Sequence, residues 1–447
     1  MSSITLPNMW NARPYQQPLF QHMFTGGLKR KRAVCVWHRR AGKDSCCLNL
    51  AAVASQVQVG TIWHLLPTLK QGRRVIWDGI DKYGRRMIDQ AFPPEMRTGK
   101  NDSDMQIRLK NGSIFQVVGS DNYDSLVGTN PVGVIFSEYS ISDPAAWDYL
   151  RPILTENGGW AMFIYTPRGK NHGKQLWDSA SRNDNWFSSL LTVDDTYDEQ
   201  GNHIILPEHI EEEINSGMSR EKVQQEFYCS WDSGLEGAFY THELNLAAKE
   251  GRIGHYPHDP MQPCQTWWDI GFRDQTSIII TQRGLDGNPV LIDHIVDRNK
   301  PIDFYVRALR EKSYNYDEHW GPHDFENHDW TTGKTRREFA AGLGLNIDIV
   351  PKISLEDGID ATRAMIRKCR IDENKCHKLL DGLYSYRREF DDKSNRYRDQ
   401  PVHDWASDLS DSMRYLSVGW QPYPAGGRII TPSRMPHKVK RSMRHGR

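Results

Sequence analysis

The chain has 447 residues, 26% of them charged and 38% hydrophobic, with 15 Trp and 18 Tyr; at ~100–200 residues per domain this suggests two or three domains and excludes wholesale disorder. No apolar run approaches the ~18 residues of a membrane span, and the amino-terminal MSSITLPNMWNARPYQ lacks the basic, apolar, small-residue order of a secretory signal, so a soluble, intracellular protein is expected. Seven cysteines without a CxxC pair argue against a disulfide framework or zinc ribbon and for reduced thiols.

The net charge of zero hides an asymmetry. Residues 1–43 carry eight Lys or Arg and no acid, residues 428–447 carry seven more and no acid, and the rest holds 42 bases against 57 acids. Basic ends on an acidic body predict polyanion contacts at the ends and acid-built sites within.

In chain order, Ala33–Trp37, Thr61–Leu66, Val132–Phe136 and Ala161–Tyr165 are short apolar runs of the kind that form buried strands. Asn111-Gly112 between Gln106–Leu109 and Ser113–Val118 predicts a hairpin. Helices are expected at Ser45–Val57, Pro207–Asn215 and Arg220–Cys229, so the first half reads as a mostly parallel α/β sheet. Residues 233–262, rich in Gly and Pro (Gly234, Gly237, Gly251, Gly254, Pro257, Pro260, Pro263 at its edge), read as a linker. A second α/β pattern follows: strands at Thr266–Ile270, Ser277–Gln282, Val290–Val296, His319–Phe325 and Ile347–Pro351, and helices at Pro301–Lys312, Thr332–Gly342 and Trp405–Val418.

Trp37–Ser45 reads WHRRAGKDS, after a strand and opening a helix. Backbone amides and a helix N-terminus in that setting cradle phosphates, and Lys43 reaches the β- and γ-oxygens. Against G-x-x-x-x-G-K-[ST], Trp37 replaces the first glycine and Asp44 the hydroxyl ligand of magnesium. Val134–Glu138 (VIFSE) ends a buried strand with an acid, Glu138 as candidate general base and Ser137 where the metal-binding Asp usually stands. Asp44 offers a carboxylate beside Lys43, and a hard cation accepts oxygen ligands from either position.

In the second half, Asp269 closes the strand TWWD, Asp274 follows, and Asp324 is expected at the end of the GPHDF strand. Asp404, Asp408 and Asp411 fall at i, i+4 and i+7, one face of a helix, where like charges repel by a few tenths of a kcal/mol per pair. Carboxylates from two strands and a helix suit two divalent cations ~3.5–4 Å apart and phosphodiester hydrolysis. Asp404 reads better as a helix N-cap. Two other readings compete: an HD-type phosphohydrolase using His323-Asp324 and His403-Asp404, and a zinc site at Cys369, Cys376 and His377, which lacks a second ligand pair and reads more simply as ordinary helix residues.

Taken in order, RPYQ (Arg13–Gln16), HRRAGKD (His38–Asp44), LLPTLKQGRRVIWD (Leu65–Asp78), VGVIFSEYS (Val132–Ser140), YTPRGKNHG (Tyr165–Gly173), DIGFRDQTSI (Asp269–Ile278), Asp324 and DLSDSMRYL (Asp408–Leu416) resemble the large terminase subunit of tailed bacteriophages. The resemblance implies an α/β architecture with a P-loop ASCE-type ATPase domain (1–232), the linker, an RNase H-like nuclease domain (263–420) and a basic, flexible tail (421–447). It implies that Gln16 contacts adenine and that Ala41, Gly42, Lys43, Asp44 and Ser45 hold nucleotide. Arg39 or Arg40 would act as a cis arginine finger, Glu138 would activate water, and Thr166 would couple hydrolysis to movement. Asp269, Asp324 and Asp411 would be the nuclease acids, with Asp408 as a supplementary or alternative ligand. ATP and Mg2+, or Mn2+ at the nuclease site, are the implied cofactors. The implied partners are double-stranded DNA, the portal, a small terminase subunit, the procapsid and further copies of the chain on the portal, with the host cytoplasm during assembly, and not the mature virion, as the place of action. A helicase or repair-type ATPase/nuclease and a non-catalytic DNA-binding assembly protein are the alternatives.

Overall fold

The structure is a computed structural model, and it describes residues 4–421 apart from 82, 122, 124–127, 233–234, 272–274, 329–332 and 392–395. Gly234, Asp274 and the basic tail lie outside the described residues.

The first sheet contains β1 (Arg32–Trp37), β2 (Thr61–Leu66), β3 (Arg97–Asn101), β4 (Gln106–Leu109), β5 (Ile114–Gly119), β6 (Pro131–Ser137), β7 (Trp160–Tyr165) and β8 (Trp186–Leu191), in the order β3-β4-β5-β2-β6-β7-β1-β8. From β5 to β8 all neighbours are parallel, and β3, β4 and β5 form an antiparallel extension. The expected hairpin is this β4–β5 pair. The central strands are mostly apolar because both faces are covered. Along β1, Ala33, Cys35 and Trp37 enter one core, while Val34 and Val36 enter the core on the other face. At Gly133 the neighbouring strand approaches so closely that a Cβ would lie 2.2 Å from the Trp160 ring. One strand, β7, separates β1 from β6, whose end is followed directly by Glu138, and this is the order expected of an ASCE-type fold.

The second sheet contains β9 (Ile253–Gly254), β10 (Cys264–Asp269), β11 (Gln275–Arg283), β12 (Pro289–Arg298), β13 (Tyr316–Gly321), β14 (Ile347–Ile349) and β15 (Arg370–Asp372), ordered β14-β13-β10-β11-β12-β15-β9. Three antiparallel strands, β10 to β12, are extended beside β10 by parallel β13 and β14. That is the RNase H-like pattern. Trp267, Ile279 and Leu291 face one core with the helix Trp405–Gly419, and Trp268, Ile278, Ile280 and Ile292 face the other.

Two expectations are corrected. The stretch 233–262 is not simply a linker: Thr241–Lys249 is a helix whose Leu244 and Ala247 are buried in the second core, and Ile253–Gly254 pairs with β15. Gly237 and Gly251 bracket the helix, and no Gly or Pro lies between them to break it. Asp324 is not on a strand: β13 stops at Gly321, Pro322 has no amide to continue the ladder, and Asp324 sits in the 3-10 turn His323–Glu326.

The two α/β units touch. The His172 and Trp405 rings are 5.8 Å apart, Gln175 donates to Asp381 at 3.2 Å, and Lys378 lies 3.5 Å from Asp148. A cavity of about 430 Å³ opens between them, lined by Asp143, Tyr149, Gln275, Lys300 and Trp405 among others.

Candidate nucleotide and nuclease sites

The loop after β1 is built for close approach. Gly42 has φ +76°, and a Cβ there would sit 3.2 Å from Gln16 Nε2. Arg40 is also left-handed, at φ +71°. Trp37 does not obstruct the loop: its ring is buried and donates to Ser189 Oγ at 3.0 Å, so the missing first glycine falls on the strand. No side chain caps the helix Lys43–Val57, which leaves its first-turn amides for an anion. Lys43 Nζ donates to the carbonyls of Trp37 (3.0 Å) and His38 (3.1 Å) and to Thr166 Oγ1 (3.0 Å). These three neutral acceptors hold the ammonium at the mouth of the loop. Ser140 Oγ in turn donates to the Thr166 carbonyl at 2.9 Å, linking the loop through Thr166 to the turn just after Glu138. Ser45 lies in the first helical turn, and its carbonyl accepts from Asn49.

Gln16 reaches the loop through its backbone. It is 1% exposed, its Nε2 donates to the Ala41 carbonyl at 3.0 Å and its Oε1 accepts from the Arg13 amide at 3.1 Å. In this arrangement it braces the loop, with Tyr15 OH on the same carbonyl at 2.9 Å. His38 is buried beneath, its Nε2 2.8 Å from Thr196 Oγ1, and burial lowers its pKa to about 4.

Asp44 and Ser137 meet: Ser137 Oγ donates to Asp44 Oδ1. Burial pushes the Asp44 carboxyl above the usual carboxylate range, against the Ser137 hydrogen bond and the Lys43 charge. His64 on β2 is fully buried with neither ring nitrogen hydrogen-bonded, and its Nε2 is 3.9 Å from Asp44 Oδ1. Glu138 stands at φ +53°, the left-handed turn that ends β6, and its Oε2 is buried without a partner.

The two arginines differ. The Arg39 amide donates to the Glu226 carbonyl at 2.7 Å and its guanidinium lies 3.6 Å from Glu226 Oε1; Arg40 is exposed. Glu226, which sequence reasoning missed, also receives Arg168 at 2.7 Å and Lys222 at 3.3 Å. Burial opposes ionisation of Glu226, yet Arg168, Lys222 and Arg39 outweigh it and hold the carboxyl below its ordinary range.

In the second unit, Asp269 ends β10, and the helix Trp405–Gly419 brings Asp408 and Asp411 against the same sheet. Ser412 Oγ on that helix is 2.8 Å from Ser277 Oγ on β11, and Asp408 Oδ2 accepts from the Gln275 amide at 2.9 Å. The Asp269 carboxyl has no hydrogen bond from any described residue. Burial, then the negative charges of Asp411, Asp408 and Asp324, push it well above the usual range, with Arg414 opposing. The Tyr415 phenol is likewise raised by burial and by Asp269, Asp411 and Asp324, so these acids lie within electrostatic reach of one another. Asp411 Oδ1 is held by Arg414 at 3.0 Å, and Asp324 accepts from Asn327 at 3.2 Å. Among the described residues no three His, Cys, Asp or Glu side chains close on a common point as a finished metal cage. The donor set fits a hard divalent cation all the same: it is all oxygen and mutually repelling, and one of its acids lacks any donor. Arg414 was legible in the sequence only as the residue three beyond Asp411, the spacing of a helical ion pair.

Asp404 is the N-cap, accepting from the Ala406 amide at 3.0 Å, and pairs with Arg387. The HD-type reading gains no cluster of ligands, and all seven cysteines are buried and free. Cys376 caps a helix from outside it and Cys369 precedes β15, so neither is a residue of a helix interior as expected.

No protein-family model matches the chain. Among solved structures it is similar to the large terminase of a thermophilic bacteriophage in complex with ADP (14% identity, 91% of this chain and 98% of that one, TM-score 0.41). It is also similar to the ATPase domain of the Thermus phage P74-26 large terminase (18%, 45% and 89%, TM-score 0.37) and to the P22 large terminase nuclease domain (17%, 38% and 88%, TM-score 0.31). These superpositions are loose, and the relationship rests on sequence: 335 residues, 71% of this chain and 72% of the relative, are 25% identical to the large subunit of the terminase of Escherichia phage T5. Over that span the chain is similar to a phage large terminase subunit.

Proposed function

We propose that this chain is an ATP-driven motor that moves double-stranded DNA into procapsids and an endonuclease that cuts concatemeric DNA at the start and end of packaging. The observation that carries the reading is one chain with two chemistries: a Lys43 loop and Glu138 on an ASCE-ordered sheet, and Asp269, at the end of a strand of an RNase H-like sheet, within electrostatic reach of Asp411, Asp408 and Asp324.

For ATP hydrolysis, Lys43 leaves its three neutral acceptors for the β- and γ-phosphate oxygens, and Glu138 orients water for in-line attack on the γ-phosphate. Arg39 or Arg40 neutralises the developing charge. Of the two, Arg40 needs no ion pair broken, while the Arg39 pair is exposed enough to open at little cost. Thr166, released from Lys43, carries the change to the Ser140 turn. For DNA cleavage, Asp269, Asp408 and Asp411 with Asp324 would hold Mg2+ or Mn2+, which would supply an acidified water and neutralise the phosphodiester. Burial raises the Asp411 carboxyl above its ordinary range, and the Arg414 guanidinium opposes that shift.

By the same reading, the first unit ends near residue 232 and the second begins by Phe239, the partners are the portal, a small terminase subunit, the procapsid and other copies of the chain, and the chain works in the host cytoplasm without staying in the virion. The test is one preparation assayed for ATP hydrolysis and for metal-dependent plasmid cutting, with Lys43→Ala and Asp269→Ala. Each variant is expected to lose one activity and keep the other. Loss of both in a folded variant would defeat the assignment. ATPase stimulation by portal-bearing procapsids separates a packaging motor from a helicase or repair enzyme.

A further inference from the structure

In P-loop NTPases magnesium is held by one hydroxyl, from the residue after the loop lysine, and one carboxylate, at the end of the Walker B strand. Here both positions depart from that pattern, Asp44 after Lys43 and Ser137 before Glu138. Taken singly each departure looks like a lost ligand. The structure joins them, because Ser137 Oγ donates to Asp44 Oδ1. The gap is therefore spanned by one hydroxyl and one carboxylate, with the two chemistries exchanged between the elements.

Two features mark this as more than a helix-end contact. Asp44 is in the first turn of its helix, and its carboxylate reaches across to the strand. His64 beside it is 0% exposed with both ring nitrogens unpartnered and Nε2 3.9 Å from Asp44, and Glu138, the residue after Ser137, has Oε2 buried and unpartnered. Buried polar atoms without partners are rare unless a guest or water completes them. We propose that Asp44 and Ser137 are the exchanged magnesium-ligand pair of the nucleotide site, the carboxylate coming from the loop helix and the hydroxyl from the strand.

The exchange has a consequence that the ordinary arrangement lacks. A carboxylate next to Lys43 stands beside the phosphates themselves, so without a cation between them it repels the nucleotide. Binding should then depend on Mg2+ more steeply than a hydroxyl at this position would require.

This inference rests on the ATPase reading above, and the experiment separates the two. A fluorescent ADP analogue is titrated into the full chain in excess Mg2+ and in EDTA. Wild type is expected to lose about tenfold or more in affinity when Mg2+ is removed. Asp44→Asn is expected to bind more weakly than wild type in Mg2+ and more tightly than wild type in EDTA. Equal Mg2+ dependence in wild type and Asp44→Asn overturns the exchange while leaving the ATPase reading intact; failure of wild type to bind under either condition overturns both. Should Asp44→Asn not fold, the double exchange Asp44→Ser/Ser137→Asp carries the test. It is expected to bind in Mg2+ about as tightly as wild type and to lose less affinity than wild type in EDTA, and failure of a folded double variant to bind in Mg2+ overturns the proposal.

Discussion

Replacing Glu226 by glutamine removes the charge on which Arg168, Lys222 and Arg39 converge, at 2.7, 3.3 and 3.6 Å. The three cations do not lose equally. Arg39 is 60% exposed and Lys222 25%, so both can turn to water, and each pair is worth at most ~1 kcal/mol. Arg168 is 14% exposed against a carboxylate that is 2% exposed, so its guanidinium stays buried with a neutral partner. Removing one side of such a pair costs ~3–5 kcal/mol. The expected loss is therefore about 3 kcal/mol, carried mainly by Arg168, with a smaller loss in the double variant Glu226→Gln/Arg168→Met than the sum of the single losses. Denaturant unfolding of the full chain, followed through its first transition, reads this. The pH dependence has a definite sign. The folded pKa of Glu226 lies below its ordinary value, so the stabilisation is complete above the unfolded value of ~4.3 and fades as pH falls through the folded value. The gap between wild type and Glu226→Gln should be constant from neutral pH down to about 5 and close in stronger acid. A loss under ~1 kcal/mol at pH 7, or a gap unchanged at low pH, would refute the reasoning.

Asp411→Asn should lower plasmid cutting by more than ~100-fold and leave ATP hydrolysis intact; normal cutting by Asp411→Asn with loss in Asp408→Asn would make Asp408 the helix ligand. Asp143, 4% exposed at the face between the units, is raised by burial to about 6. Its folded pKa exceeds the unfolded one, so it contributes stability below the unfolded value that is lost as pH rises from ~3.9 to about 6. Asp143→Asn should match wild type near pH 4 and exceed it by up to ~2–3 kcal/mol above pH 7 in thermal or denaturant unfolding. Truncation after Pro424 should spare basal ATPase and lower DNA affinity, flattening the slope of log affinity against log salt by ~0.9 per lost phosphate contact; a truncated chain that loses ATPase but binds DNA normally would contradict that role for the tail.

What the sequence disclosed followed burial. Thr61–Leu66 was legible to the residue because an apolar run buried on both faces is bounded by Gly60 and Pro67. β8 was missed because WFSSLL is an edge strand, half-buried along its length, with two serines at its centre. β3, RTGKN, has no apolar pattern at all and owes its conformation to pairing with β4. At the sites, loop and acid motifs were visible because their chemistry demands particular residue types at short spacing. Glu226 was not, since its meaning depends on Arg39 and Arg168 being brought to it across the fold. Asp44 and Ser137 were each visible as a departure. That their side chains meet is set by the packing of a helix against a strand, which no local pattern encodes.

The central claim is that one chain moves DNA by hydrolysing ATP and cuts it at a separate site. Its most direct test is the amount of nuclease-protected DNA inside procapsids after incubation with linear DNA and ATP, for wild type, Lys43→Ala and Asp269→Ala. The account predicts protection by wild type, none with Lys43→Ala, and protection with Asp269→Ala, since linear DNA needs no initial cut. Protection by Lys43→Ala equal to that of wild type would contradict it.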